Sequence, residues 1–173
     1  MNDQPVFATD GDKLPDEPLA IYRTKVLPEW IDYNGHMNVA FYVLAFDKAT
    51  DEFFNFVDVG VDYVARESKS FFVLETHVNY VAEVKLDDPL HFTFQLIDWD
   101  EKRLHYYFEM FHAEEGYLAA TSEQLGIHVN LATRRSEAMP QNVQERLGVI
   151  SQKHQSFPRP DRVGGGISIR RKS

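Results

Sequence analysis

Between residues 37 and 57 apolar positions recur every three or four residues: Val39, Tyr42/Val43, Phe46, Ala49/Thr50, Phe53 and Phe56/Val57. Asp47, Lys48, Asp51 and Glu52 fill the opposite face. That spacing predicts an amphipathic helix. At about 1.5 Å per residue it spans roughly 30 Å, so its apolar face needs a broad partner surface. Gly60 follows at the place where a C-cap glycine is expected. The period then shortens to two. Leu90–Trp99 and Arg103–Phe111 alternate apolar and polar residues, with Leu104, Tyr106, Phe108 and Met110 set against His105, Tyr107, Glu109 and Phe111. Ala20–Leu27, Ser70–Val81 and Tyr117–Leu131 also read as strands, the last with Leu125, Ile127, Val129 and Leu131 expected on its apolar face.

Short polar turns at Asp87-Asp88-Pro89, Asp98–Lys102 and Glu114-Glu115-Gly116 predict that the last four strands form an antiparallel meander. Pro140 opens a helix over Gln141–Gln155, with Val143, Leu147 and Ile150 facing inward. One strand, one long helix, four strands and a final helix give an α+β fold. A curved antiparallel sheet of about five strands wraps the central helix, since one long apolar helix face requires one broad sheet face. Residues 1–18 and 158–173 read as flexible tails around a single domain at 19–157. The first is acidic; the second carries Gly164-Gly165-Gly166 and a basic end.

Composition narrows the function. No cysteine is present, which excludes disulfide scaffolds, thiolate metal sites and cysteine nucleophiles. The net charge of −9 argues against a broad nucleic-acid interface. No apolar run approaches the roughly 20 residues that span a bilayer, and the acidic N-terminus has no signal-peptide core, so a cytoplasmic address is expected. The histidines show no metal-ligand spacing, and neither a metal nor a cofactor is expected. No Gly-x-Ser-x-Gly elbow occurs, which removes the serine-hydrolase route to ester cleavage. The 13 Phe and 8 Tyr include rings on both faces of 103–111, and this excess predicts self-association.

The segment with chemical content is Trp30-Ile-Asp-Tyr-Asn-Gly-His-Met-Asn-Val-Ala-Phe-Tyr42. Asp32 lies in a turn between a strand and the start of the long helix, with Asn34, His36 and Asn38 close by. Free N–H groups at a helix N-terminus can receive an oxyanion, and a carboxylate beside them can serve as nucleophile or general base in acyl transfer. The same residues also suit a purely structural role, with Asp32 or Asn34 capping the helix and Asn-Gly making a turn.

This segment, coupled to the element order, resembles the hotdog-fold acyl-CoA thioesterases of the 4-hydroxybenzoyl-CoA thioesterase type, whose motif runs Asp-x-x-Gly-His-Val-Asn-Asn-x-x-Tyr. Asp32, Gly35, His36, Asn38 and Tyr42 are in register. Met37 replaces the usual Val, and Val39 stands where a second Asn is common. The resemblance covers residues 20–135. It implies that Asp32 is the catalytic carboxylate, that the Val39 N–H polarises the thioester carbonyl, and that His36 and Asn38 belong to the catalytic turn. It also implies a homodimer or a dimer of dimers, with sheets joined edge to edge and sites shared between chains.

Three longer stretches are similar to the betainyl-CoA thioesterases of bacterial carnitine degradation: LPEWIDYNGHMNVAFYVLAFDKATDEFF, KRLHYYFEMFHAEEGYLAATSEQL and HVNLATRRSEAMP. That likeness implies hydrolysis of betainyl-CoA to glycine betaine and CoA. A quaternary ammonium offers no hydrogen bond and is best held by rings. Trp30, Tyr33, Tyr42, Phe71, Phe72, Trp99 and Tyr106 are the candidates, although most of them are also expected in the core. Gly35 belongs to the substrate turn, and Glu75, on a strand expected to face inward, is a second candidate carboxylate. Lys69, Lys102, Arg103 and Arg134 are candidate ligands for the CoA phosphates. A hotdog hydratase or dehydratase and a non-catalytic acyl-CoA-binding module are the competing readings.

Overall fold

The computed structural model describes residues 14–167; of the two expected tails, residues 1–13 and 168–173 lie outside the described residues. The elements follow as β1 (Leu19–Lys25), a 3-10 turn (Pro28–Trp30), α1 (Val39–Phe56), α2 (Val61–Glu67), β2 (Lys69–Tyr80), β3 (Pro89–Trp99), β4 (Arg103–His112), β5 (Leu118–Asn130), β6 (Arg135–Ser136) and α3 (Gln141–His154). This is the hotdog arrangement: one antiparallel sheet with α1 lying along its inner face.

The predicted helix forms where the periodicity placed it. Ala45 and Ala49 let its backbone approach the sheet, while Phe46 and Phe53 fill the space on either side. Phe46 meets Phe92 edge-on with centroids 5.6 Å apart, and Phe53 stacks on Phe94 at 3.7 Å. The inner face of β4 is Leu104, Tyr106, Phe108 and Met110, all buried. Alternation along β4 thus reports its two faces correctly.

Four expectations are corrected. The strand order is β1-β3-β4-β5-β2, so only β3, β4 and β5 form a meander. β2 crosses to the far edge and pairs with β5 from Lys69↔Asn130 to Tyr80↔Ala120, while β1 takes the free edge of β3. The connection from β2 is no tight turn: residues 81–88 carry the chain across to the end of β1, where the Val26 N–H donates to the Asp88 carbonyl and the Asp87 N–H to the Val26 carbonyl (3.0 Å each). Second, β5 turns Ala120, Ser122, Gln124, Gly126 and His128 inward, and Leu125, Ile127 and Val129 outward. Small and polar residues make room for the large β4 rings: Tyr106 Oη donates to Gln124 Oε1 at 3.1 Å, and Gln124 Nε2 donates to Ser122 Oγ at 3.0 Å. Third, Gly60 does not cap α1. Asp58 takes the left-handed conformation (φ 61°), and Gly60 begins α2, where a Cβ would collide with Asn55 Oδ1. Fourth, Glu75 is exposed beside a bulge between Val73 and Glu75 rather than facing the core.

The outer face carries a different cover. Gln95, Tyr107 and Glu123 face one another across β3, β4 and β5. The segment after α3 crosses this row: Gln95 Nε2 donates to the Pro158 carbonyl at 3.3 Å, and the Gly164 N–H donates to Glu123 Oε2 at 2.8 Å. Tyr107 is thereby buried on the outer face. His154 Nδ1 accepts the Leu96 N–H at 2.8 Å, which fixes the ring proton on Nε2. Nε2 has no partner among the described residues, and burial pushes the imidazole down to about 4.

Candidate active site

The turn at residues 31–37 is a miniature hairpin. Ile31 and Met37 form an antiparallel bridge, the Asp32 N–H donates to the His36 carbonyl (3.1 Å), and the Gly35 N–H donates to the Asp32 carbonyl (3.0 Å). Gly35 has φ 83°, which explains the Asn-Gly pair: a three-residue hairpin loop needs a left-handed residue at its end. Asp32 sits at the base of this loop. Its Oδ1 accepts the Asn34 N–H at 2.8 Å, an Asx turn that fixes the side chain. No donor among the described residues meets Oδ2. The carboxylate is 14% exposed.

Asn38, rather than Asp32 or Asn34, caps α1. Its Oδ1 accepts the Ala40 N–H at 3.0 Å, and its carbonyl accepts the Phe41 N–H at 3.0 Å. The Val39 N–H at the first helical position has no acceptor among the described residues. Trp30 O accepts the Asn38 N–H at 2.9 Å, and Val84 O accepts the Met37 N–H at 2.9 Å, so the Asp32 loop is tied against the first turn of α1. A rigid loop therefore brings a free carboxylate oxygen and a free N–H to one helix end.

His36 lies between two carboxylates. Its Nδ1 is 4.0 Å from Asp32 Oδ1, and its Nε2 is 3.8 Å from Glu83 Oε1. Glu83 comes from the loop after β2, which also bonds to the site's tyrosines. Tyr42 Oη donates to Ala82 O at 3.5 Å, and Tyr117 Oη donates to Glu83 O at 3.1 Å. Tyr80 Oη donates to the Val39 carbonyl at 3.4 Å, and its ring meets Tyr42 edge-on at 5.1 Å. Burial raises the Tyr42 phenol to about 12, which keeps it a neutral donor. Tyr80 and Glu83 escaped the sequence reading because only the fold brings residues more than forty positions downstream back to this turn.

The other candidates divide by place. Trp30 is buried and stacks on Phe41 at 6.0 Å, so it supports the loop from beneath. Tyr33 is 96% exposed. Phe71 stacks on Phe54 near the far end of α1, away from Asp32. Glu75 lines an outer cleft of about 740 Å³ with His77, Trp99 and the His105–Glu123 pair. A second cleft of about 810 Å³ lies between β1 and residues 86–89 and 112–115. Asp32 lines neither. Among the basic candidates, Lys69 pairs with Glu137 at 2.6 Å, Arg103 pairs with Asp100, and Lys102 lies 3.6 Å from Glu101. Arg134 has no carboxylate partner among the described residues and lies over the Phe72 ring, 5.3 Å from its centre. No group of three or more potential metal ligands occurs among the described residues, and no helix there is long and apolar enough to cross a membrane.

Comparison with known proteins gives this geometry a context. A betainyl-CoA thioesterase of Pseudomonas aeruginosa is 38% identical over 153 residues, covering 87% of this chain and 95% of that protein. A Staphylococcus aureus protein solved in complex with CoA superposes with a TM-score of 0.83 at 27% identity, over 92% of this chain and 100% of that one. A putative thioesterase from Pseudomonas putida gives a TM-score of 0.78 at 33% identity with the same coverage. Residues 26–147, which run from the end of β1 into α3 and include the Asp32 turn, match the thioesterase-like superfamily. The chain belongs to that superfamily and is a hotdog-fold thioesterase.

Proposed function

We propose that this thioesterase hydrolyses a small acyl-CoA, with betainyl-CoA as the substrate and glycine betaine and CoA as the products. The observation that carries the reading is the pairing of Asp32 Oδ2, which has no donor, with the Val39 N–H, which has no acceptor, at one end of α1. The Val39 N–H receives the carbonyl oxygen as it becomes an oxyanion, assisted by the positive end of the helix dipole. Asp32 supplies the base or the nucleophile. As base it takes a proton from the attacking water; as nucleophile it forms an anhydride that water then cleaves. Both routes consume one water, break the carbon–sulfur bond and release CoA thiol. Rapid quench of a single turnover separates them, because only the anhydride route leaves the acyl group covalently on Asp32 after the thiol has been released. The betainyl group is supported by the named Pseudomonas relative. No histidine lies on α1, which disfavours a hydratase built from a helix histidine.

The active unit is a dimer joined through β2. This strand is one of the two edges of the sheet, Leu74 on it is 56% exposed, and Val39, Val43 and Val81 are exposed apolar residues near its end. Edge pairing of two antiparallel β2 strands about a two-fold axis sets the Tyr80 end of one against the Lys69 end of the other. Arg134 and Lys69 then lie at the partner's Asp32 turn, where CoA phosphates need cations. A shared site also accounts for the absence of Asp32 from the large clefts of one chain. The test is release of free thiol from a panel of acyl-CoAs by the wild-type protein and by Asp32→Asn, with mass measured in solution. No thiol release from any acyl-CoA, or full activity from a monomer, defeats the corresponding part.

A further inference from the structure

In an acyl group with a quaternary ammonium one methylene from the thioester, the nitrogen lies about 2.5 Å from the carbonyl carbon. Whatever reads that charge must share the pocket of Asp32 and Val39. Of the seven rings expected to form a cage, Trp30, Tyr42 and Tyr106 are buried, Tyr33 points to solvent, Phe71 and its neighbour Phe72 sit near the other end of α1, and Trp99 lines the outer cleft. Tyr80, which is not among them, stands at the Asp32 end. It is 51% exposed, and its hydroxyl rests on the carbonyl of the residue whose N–H is free. Beside it, the Glu83 carboxylate is 68% exposed and is separated from Asp32 by one imidazole ring. The ion-pair neighbour of Glu83 among the described residues is His36, and no lysine or arginine among them pairs with this carboxylate.

Resting on the thioesterase reading of Asp32, we propose that Tyr80 and Glu83 are the specificity residues that recognise a quaternary ammonium on the acyl group. A cation without N–H groups gains from a ring face and from a carboxylate at van der Waals distance, and it loses little by lacking a directed hydrogen bond. The two residues adjoin each other, because Tyr80 ends β2 and Glu83 lies in the loop after it. The Ala119 carbonyl accepts both the Val81 and the Ala82 N–H groups and so holds that loop (2.9 and 3.0 Å). The Tyr117 hydroxyl fixes the Glu83 backbone, which leaves its side chain free to face the ligand.

The test compares betainyl-CoA with 3,3-dimethylbutyryl-CoA, which puts carbon in place of the cationic nitrogen, in the wild type and in Tyr80→Leu, Tyr80→Phe and Glu83→Gln. The ratio of kcat/KM for the cation over the neutral ester is the readout; it cancels any general loss of folded enzyme. Tyr80→Leu and Glu83→Gln should each lower that ratio by about tenfold, while Tyr80→Phe, which keeps the ring, should hold it near the wild-type value. A ratio unchanged in both Tyr80→Leu and Glu83→Gln overturns the proposal. A wild type that cleaves both esters with equal kcat/KM also overturns it, but leaves the thioesterase reading intact. Failure to cleave any acyl-CoA removes the thioesterase reading itself.

Discussion

The two ends of α1 are built from the same helix and treated in opposite ways. At the C-terminal end the chain supplies its own partners. Arg146 donates to the Phe56 carbonyl at 2.7 Å and pairs with Asp58 at 3.0 Å, while the Val59 N–H closes on the Phe54 carbonyl at 2.8 Å. Phe53 and Phe54 are packed, and α2 seats Tyr63 on His128 through a 2.9 Å hydrogen bond. At the N-terminal end Asn38 satisfies Ala40 and Phe41 but leaves the Val39 N–H open beside Asp32. A satisfied helix end adds stability and has nothing left to offer a ligand. An unsatisfied donor at the positive end of the dipole is costly when dry and is met by a developing oxyanion. In the proposed reaction the helix separates stability from chemistry along its own length.

That separation can be broken most severely at the closed end. Phe53→Ala removes a fully buried ring stacked on Phe94 and should lower the unfolding free energy by about 3–5 kcal/mol. Urea denaturation measures this, and activity per folded molecule should change little. If activity collapses while the protein remains folded, the two ends are coupled and the separation is wrong.

His154 tests the closed end by pH. Its folded value is about 4 against an ordinary 6.5, a depression caused by burial. Above pH 6.5 the ring is neutral in both states and contributes no pH dependence. Between about 6.5 and about 4 the unfolded chain binds a proton that the folded chain refuses, so stability falls by about 3 kcal/mol across that window as pH drops. His154→Phe should flatten the stability profile there, as read by denaturation at a series of pH values. An unaltered profile would show that another group carries the acid loss.

The open end responds in turnover. Asp32→Asn keeps an oxygen for the Asn34 N–H but removes the base or nucleophile, and should reduce thiol release by at least about 10²-fold with little loss of stability. The smallest effect is expected from the cap. Asn38→Ala strips the Ala40 N–H of its acceptor and should cost about 1 kcal/mol of stability. Its turnover should fall less than that of Asp32→Asn, and a larger fall would place the Asn38 side chain in the reaction itself.

Much of this was legible from residue order. The 3.6 period over 37–57 gave the helix within two residues of Val39–Phe56, because a face of that length has one stable solution. The Asn-Gly pair named the turn that precedes the helix, since such a turn requires a left-handed glycine and Gly35 has it. Period-two alternation failed on β5, where Leu125, Ile127 and Val129 looked like the core face but turned outward. Alternation reports that two faces differ; which one meets the helix depends on the volume of the neighbouring strands, here the large rings of β4.

The sequence by itself determined the central helix, the five main strands, the C-terminal helix and the turn that holds Asp32, because periodicity, turn residues and a local hydrogen-bonding motif act over a few residues. Only the tertiary structure decided that β2 is an edge strand, that Glu83 joins Asp32 beside His36, and which rings stay open. β2 reaches the far side of the sheet by pairing with β5, and in doing so its end delivers Tyr80 and Glu83 to a turn more than forty residues earlier. Contacts of that kind follow from strand order and register, which arise from competition among whole ladders and leave no mark at the positions they join.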